Sequence, residues 1–211
     1  MDMISAIRTL CKGENGFVNM FDPAKSQGKL SRLTEGHPDA PLFETMLYGQ
    51  AKSAISEMLH DSYNFKAYIT WIHSLLMEDG MTEAEAKHTL DYFFTAFGFP
   101  GYRIENPANQ KTITEEDGPS KYVYCGEVLG DMPHGVGKRD FFYEGEWGSC
   151  NECVWIYGVM CGYDHAREIE FDIYEDQKIG FVVNDCFVGK FKCLYDGGEE
   201  SWEQGITLDI S

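Results

Sequence analysis

The sequence has little basic charge and no long apolar run. Its 17 Lys and Arg residues stand against 35 Asp and Glu residues, which gives a formal net charge of −18. Because binding to phosphate backbones needs clustered Lys and Arg, this scarcity argues against a nucleic-acid-binding protein and disfavours an anionic membrane surface. No uninterrupted apolar run reaches about eighteen residues, so the sequence predicts no membrane-spanning helix.

The beginning of the sequence also lacks the pattern of a secretory signal. Residues 1–8 contain no basic patch followed by an apolar run, so we expect a cytoplasmic protein whose seven cysteines are reduced. Cys150 and Cys153 have the spacing of a zinc knuckle, but a tetrahedral zinc site needs two further ligands, and no second close pair supplies them. We therefore expect no cofactor, with zinc at Cys150 and Cys153 as the alternative.

Motifs of the common catalytic sites are missing as well. The sequence contains no Gly-x-Ser-x-Gly, no phosphate-binding loop and no dinucleotide fingerprint. We therefore expect a protein that is not an enzyme. The alternative is a hydrolase whose site is assembled from scattered residues, for example from the carboxylates of Glu127, Glu144 and Glu146, which would share one face of a sheet.

The first half of the chain has the pattern of helices. Apolar residues recur at three- and four-residue spacing from Pro41 to His60 and from Asn64 to Glu78, which predicts two amphipathic helices. Thr82 and Glu85 have the spacing of a capping box at the start of a third helix. Residues 1–100 are therefore interpreted as a small helical bundle.

The second half has the pattern of strands. Residues 101–120 are rich in Gly, Pro and acidic residues and are interpreted as a linker. In residues 121–211 apolar and polar residues alternate, as in Arg167–Tyr174, where Ile169, Phe171 and Ile173 are expected to point inward. Short turns such as Asn184–Asp185 join the strands. The sequence thus predicts an α+β protein with a C-terminal antiparallel β-meander.

A glycine-spaced aromatic pattern occurs twice in this second half. Tyr124–Glu127 (Tyr-Cys-Gly-Glu) is followed by Gly130–Gly137 (Gly-Asp-Met-Pro-His-Gly-Val-Gly), and Tyr143–Gly148 (Tyr-Glu-Gly-Glu-Trp-Gly) comes later. Aromatic residues at alternate positions share a face of a strand, and the Gly between them leaves room for the rings to stack on the next strand. Met132–Gly135 is interpreted as a turn.

This pattern resembles the MORN (membrane occupation and recognition nexus) repeat family, in which Tyr-x-Gly-x-Trp is followed by a Pro-His-Gly-x-Gly turn. The chain departs from the family where Val128 occupies the usual place of Trp or Phe and where no second Pro-His-Gly turn follows Trp147. No Asp-Gly turn separates Gly137 from Tyr143 either, which favours one continuous strand from Lys138 to Trp147 over a hairpin. The resemblance implies a degenerate array of hairpins over roughly half of the chain. The family's name also raises peripheral membrane association as an alternative.

The helical half has a resemblance of its own. The segments Leu30–Leu33, Met81–Ala86 and Phe97–Phe99 are similar to a helical module that occurs in multidomain bacterial proteins beside binding or signalling domains. The resemblance implies a bacterial or phage origin and brings no catalytic motif with it.

An aromatic and acidic sheet surface is the functional surface that the sequence predicts. Its members are Tyr124, Tyr143, Glu144, Glu146, Trp147, Trp155, Tyr157 and Trp202. Tyr and Trp are favoured at interface hot spots, and acidic rims speed the encounter with a basic partner. We therefore expect a scaffold, regulator or inhibitor that binds another protein with a basic surface, and a homo-oligomer is an alternative.

Overall fold

The computed structural model describes residues 1–104, 109–170, 174–196 and 198–210. Helices occupy the N-terminal part and one antiparallel sheet the C-terminal part, so the predicted α+β class is confirmed. Within these ranges, no helix combines the length and apolar character that crossing a membrane requires.

The helical part contains short helices joined by tight turns. They are α1 (Met3–Leu10), α2 (Gly16–Met20), α3 (Pro23–Ser26), α4 (Lys29–Leu33), α5 (Ala40–Tyr48), α6 (Ala51–His60), a 3₁₀ turn (Ser62–Asn64), α7 (Phe65–Glu78) and α8 (Glu83–Ala96). The predicted capping box starts α8. The backbone N–H of Glu85 donates to the Thr82 hydroxyl over 3.3 Å, and the Glu85 carboxylate accepts from the Thr82 N–H over 2.8 Å.

The segment Pro41–His60, predicted as a single helix, forms the two helices α5 and α6. Between them Gly49 is extended, with φ −84° and ψ −163°. The Asp79 carboxylate packs against Gly49 and accepts the N–H of Gln50 over 2.9 Å. A side chain at position 49 would overlap this carboxylate, so the break depends on a contact between residues distant in sequence, which helical periodicity does not report.

In the part of the chain that the structure describes, nine strands form one sheet. They are β1 (Gln110–Asp117), β2 (Ser120–Leu129), β3 (Met132–Tyr143), β4 (Glu146–Ile156), β5 (Val159–Glu170), β6 (Tyr174–Val183), β7 (Cys186–Phe187), β8 (Lys190–Leu194) and β9 (Glu200–Gln204). Their order is β1-β2-β3-β4-β5-β6-β8-β9, with β7 paired to β6. Neighbours in the sequence are therefore mostly neighbours in the sheet, as expected of a meander.

Strand β1 lies inside the range 101–120 that the sequence analysis interprets as a linker. It pairs with β2 from Gln110 opposite Glu127 to Asp117 opposite Ser120, and its side chains are almost all exposed. An edge strand with neither face buried has no apolar alternation, so the sequence pattern does not reveal it.

The predicted turn at Met132–Gly135 is wrong, because these residues begin β3 and the turn lies at Gly130–Asp131. His134 instead contacts the turn between β4 and β5: its Nδ1 accepts the N–H of Tyr157 over 3.3 Å. Burial lowers the pKa of His134, which keeps this nitrogen free to accept. The predicted hairpin turn at Asn184–Asp185 is confirmed, with φ values of 51° and 62°.

The helices and the sheet share one hydrophobic core. The Phe97 and Phe181 ring centroids are 5.9 Å apart, and Phe99 stacks on Phe181 at 5.6 Å. The backbone is joined as well, since the N–H of Tyr163 donates to the carbonyl of Phe97 over 2.8 Å. The helical range 1–100 thus packs directly against the sheet.

A second, smaller cluster of buried residues surrounds Tyr124 and Trp155, whose rings meet edge to face at 5.6 Å. Gly126 and Gly137 lie opposite each other on β2 and β3, and the Tyr124 ring covers both. The Tyr124 hydroxyl donates to the carbonyl of Glu127 over 2.7 Å, which fixes the ring in place. Glycine at positions 126 and 137 is therefore what lets this ring lie flat on the sheet.

Replacing Gly137 by Ala is expected to lower the free energy of unfolding by about 1–2 kcal/mol, because the new methyl group overlaps the Tyr124 ring. Urea denaturation measures the change. In a Tyr124→Leu background the same substitution should cost clearly less, since the overlapping ring is gone. Equal costs in the two backgrounds would contradict this packing.

Candidate functional site

The predicted interaction residues do not form one surface. Tyr124 is 3% exposed and Trp155 is 0% exposed, so neither can contact a partner, and their assignment to the binding surface is corrected. Both rings belong to the second cluster and hold neighbouring strands together. The sequence predicts both as residues of a binding surface, but it does not report that other residues of the sheet bury them.

Two other predicted residues lie apart from the rest. The Tyr157 ring is contacted by the Lys12 ammonium, 4.9 Å from the ring centroid. Trp202 is 41% exposed and packs on Tyr63, with centroids 5.4 Å apart, under the Lys190 ammonium at 4.2 Å. Both rings are thus already engaged by cations of the same chain.

The remaining four predicted residues come together around one cavity. It has a volume of about 390 Å³ and is called the Tyr143–Trp147 pocket below. Its lining residues are Tyr143, Glu144, Glu146, Trp147, Gly148 and Ile169. This is the candidate functional site.

The hairpin between β3 and β4 builds this pocket. Glu144 and Gly145 form its turn with φ values of 51° and 87°, and Tyr143 is paired with Glu146. The Glu144 N–H donates to the carbonyl of Pro119 over 2.9 Å, which ties this turn to the turn between β1 and β2. The turn therefore brings Tyr143 and Glu146 side by side, whereas a continuous strand would hold them three residues apart.

The Trp147 side chain is held in a defined orientation. Its Nε1–H donates to Asp140 Oδ1 over 3.1 Å, and the same carboxylate oxygen accepts from the Lys138 ammonium over 3.0 Å. A register shift between Phe141 and Phe142 lies next to it and aligns Trp147 with Phe142. The indole is therefore ordered before any partner arrives, which lowers the entropic cost of binding.

The pocket combines exposed apolar groups with unneutralised acid. Tyr143 is 51% exposed, Ile169 is 39% exposed and Trp147 is half-buried. Glu144 and Glu146 are exposed, and no basic residue in the described part of the chain pairs with either of them. An aromatic surface beside free carboxylates is suited to binding a cation that carries an apolar stem.

Ile169 is a pocket residue that sequence reasoning missed. The alternation of Arg167–Tyr174 predicted an inward position, but Ile169 is exposed. Phe171 and Ile173, which were predicted to share its face, lie outside the described residues. On β5 the described members of the common core end at Tyr163, so the far part of this strand extends past the helical layer. Alternation identifies the apolar face of a strand, but it does not show how much of that face the helices cover.

The three carboxylates that could have supplied an acid–base pair do not all lie at one site. Glu127 accepts from Arg8 over 3.2 Å and from the N–H of Val136 over 2.8 Å, and so belongs to the junction between α1 and the sheet. It does not line the pocket of Glu144 and Glu146. Of the three predicted carboxylates, Glu144 and Glu146 therefore share a pocket, while Glu127 is engaged at another place in the fold.

Cys150 and Cys153 lie on β4 opposite Asp140 and Gly137, respectively. Burial raises the pKa of both thiols, which disfavours the thiolate that a metal ion requires. Across the described ranges, no group of three or more His, Cys, Asp or Glu residues is placed to hold a metal ion.

Asp164 is a buried acid outside every cavity described here. Its side chain is fully buried, Oδ2 accepts from the Asn151 amide over 3.0 Å, and Oδ1 has no partner among the described residues. Burial raises the pKa of this carboxyl to about 7. The ionisation of this group therefore affects folding stability rather than a solvent-accessible reaction.

Comparison with models of known families and with curated proteins finds no match for this sequence. The function is therefore argued from the site, because a fold by itself does not identify an activity.

Proposed function

We propose that this protein is a non-enzymatic interaction protein that binds a basic segment of another protein at the Tyr143–Trp147 pocket. The observation that carries the proposal is the meeting, on one hairpin, of exposed aromatic rings and unpaired carboxylates. An Arg or Lys side chain fits both, since its stem packs on Tyr143 and Trp147 while its charged end meets Glu144 or Glu146.

The charge of the surrounding sheet supports a basic partner. Residues 111–211 carry 8 basic and 21 acidic side chains, a net charge of −13. Such a field speeds the approach of a positively charged protein and repels anionic lipids. A basic protein is therefore favoured over a membrane surface, although the family's name raises the membrane as an alternative.

The packing of Tyr124 on Gly126 and Gly137 supports a second part of the proposal, that the sheet is a degenerate MORN array. In this proposal the sheet is a rigid platform, and the hairpin between β3 and β4 makes the contact with the partner. The helical layer stabilises one face and supplies a further contact or a dimerisation surface. A bacterial or phage regulator or inhibitor in the cytoplasm is the kind of protein that these features fit.

The experiment uses a synthetic peptide of alternating Arg and Gly as the probe, with binding followed by calorimetry. We expect Tyr143→Ala combined with Trp147→Ala to weaken binding by about tenfold or more, as at a hot spot. Glu144→Gln combined with Glu146→Gln should weaken binding and flatten its salt dependence. All four positions are at least partly exposed, so the variants are expected to fold.

Matched controls separate this site from general charge and aromatic effects. Trp202→Ala removes an exposed ring elsewhere, and Glu78→Gln with Glu199→Gln removes two exposed charges elsewhere. Both control variants should bind the peptide within about twofold of the wild type. If the control variants lose as much affinity for the peptide as the pocket variants do, the proposal is overturned. It is also overturned if the protein binds phosphatidylserine vesicles instead of the peptide and this binding depends on Trp147.

A further inference from the structure

A second cavity, on the helical layer, has the opposite charge. It lies between α1 and α4, has a volume of about 380 Å³ and is called the α1–α4 pocket below. Its lining residues are Thr9, Leu10, Lys12, Lys29, Arg32 and Leu33. The lining thus contains three cations and no acid, in a protein whose formal net charge is −18.

The cations of this pocket lack the ion pairs that most basic residues of the protein form. Carboxylates lie within 4.0 Å of Arg8, Lys25, Lys87, Arg103, Lys111, Lys121, Lys138, Arg167, Lys178 and Lys192. Within the described ranges, no carboxylate stands at that distance from Lys12, Lys29 or Arg32. Three basic residues of the helical layer that form no ion pair among the described residues thus line one cavity, whereas Lys52 and Lys66, which also form none, lie apart on α6 and α7.

Two polar groups beside α1 and α4, Glu44 and Thr9, are already engaged elsewhere. Glu44 is directed to the start of α4, where its Oε1 accepts the N–H of Gly28 over 2.9 Å. The Thr9 hydroxyl donates to the carbonyl of Ser5 over 2.7 Å, so its proton is already used. The Lys12 ammonium rests 4.9 Å from the centroid of the Tyr157 ring, at the edge of the pocket.

The walls of the pocket define what else a ligand can carry. Leu10 and Leu33 provide apolar surface beside the cations. Lys12 also lines a neighbouring cavity of about 450 Å³, whose walls include Phe17 and Tyr157 together with the acids Glu14 and Asp185. Apolar surface therefore adjoins the cationic groups on both sides of Lys12.

We infer that the α1–α4 pocket binds a small phosphate monoester that carries an apolar or aromatic group. A phosphate dianion relieves the mutual repulsion of three cations better than a single carboxylate does. The Arg32 guanidinium can bind two of its oxygens, while Lys12 and Lys29 act as point charges. The apolar part of the ligand packs on Leu10 and Leu33. The acidic residues elsewhere on the protein repel the phosphate only weakly, because salt at physiological ionic strength screens charges that are more than about 8 Å apart.

Phenyl phosphate is the probe for this inference, and two-dimensional NMR of the full chain follows its binding. We expect shifts at residues around α1 and α4, and weaker binding of inorganic phosphate, which lacks the ring. Benzyl alcohol, which has the ring without the charge, should not bind there. Lys29→Gln with Arg32→Gln should weaken the affinity for phenyl phosphate by about tenfold or more. Both side chains are exposed, so their replacement should leave the fold intact.

The control removes two equivalent charges from α6 and α7. Lys52→Gln with Lys66→Gln changes the net charge by the same amount and should alter the affinity by less than about twofold. An equal loss in both double variants, or the absence of any phenyl phosphate binding, would overturn the inference. Trp147→Ala, which changes the other pocket, should leave phenyl phosphate binding unchanged.

Discussion

Replacing Glu127 by Ala is expected to lower the free energy of unfolding by about 3–5 kcal/mol, because the substitution leaves a buried cation without its partner. Arg8 is 4% exposed, and its Nη1 lies 3.2 Å from Glu127 Oε2. Burial lowers the pKa of Arg8, and the Glu127 charge opposes that effect. The same carboxylate accepts the N–H of Val136, which also loses its acceptor in the variant.

Urea denaturation of three variants tests this expectation. Glu146→Ala removes an exposed carboxylate from the same sheet and should change the free energy of unfolding by less than about 1 kcal/mol. Arg8→Met combined with Glu127→Leu removes both charges and should cost less than Glu127→Ala alone, because no unpaired charge remains buried. A cost for Glu127→Ala as small as that of Glu146→Ala would show that Arg8 gains little from its partner.

The ion pair also shows where sequence reasoning stops. Local signals predicted the Thr82–Glu85 capping box and the Asn184–Asp185 hairpin, since each depends on residues close together in the chain. Arg8 and Glu127 are 119 residues apart, and no periodicity connects them. The break at Gly49 depends on a distant residue in the same way.

The candidate site was partly predictable from the sequence, because some of its residues are close together in the chain. Tyr143 and Trp147 are close in sequence, and a hairpin turn that the spacing did not reveal brings their side chains to one pocket. The burial of Tyr124 and Trp155 depends on which strands cover them, which alternation alone does not state. The basic α1–α4 pocket was hidden by the overall acidic charge, since net charge says nothing about how the few cations are distributed.

Replacing Asp164 by Asn is expected to stabilise the protein at neutral and alkaline pH. The ordinary pKa of an Asp carboxyl is 3.8, and burial raises that of Asp164 to about 7. Between these two values the folded protein holds a proton that the unfolded chain releases, so the free energy of unfolding falls as the pH rises. The destabilisation approaches about 4 kcal/mol above pH 7, at about 1.36 kcal/mol per pKa unit. Asn carries no charge and can still accept the Asn151 amide N–H.

The pH dependence distinguishes this cause from a general effect of the substitution. Between about pH 5.5 and about pH 8, the free energy of unfolding of the wild type should fall by about 2 kcal/mol relative to Asp164→Asn. Asp131→Asn is the control, because its side chain is 94% exposed and should follow the wild-type curve. Parallel stability curves for wild type and Asp164→Asn would show that this carboxyl stays ionised in the fold. If the two stability curves diverge as the pH rises, the sheet contains an acid that favours the folded state only while it is protonated. The protein would then tolerate mild acidity better than its excess of exposed carboxylates alone would suggest.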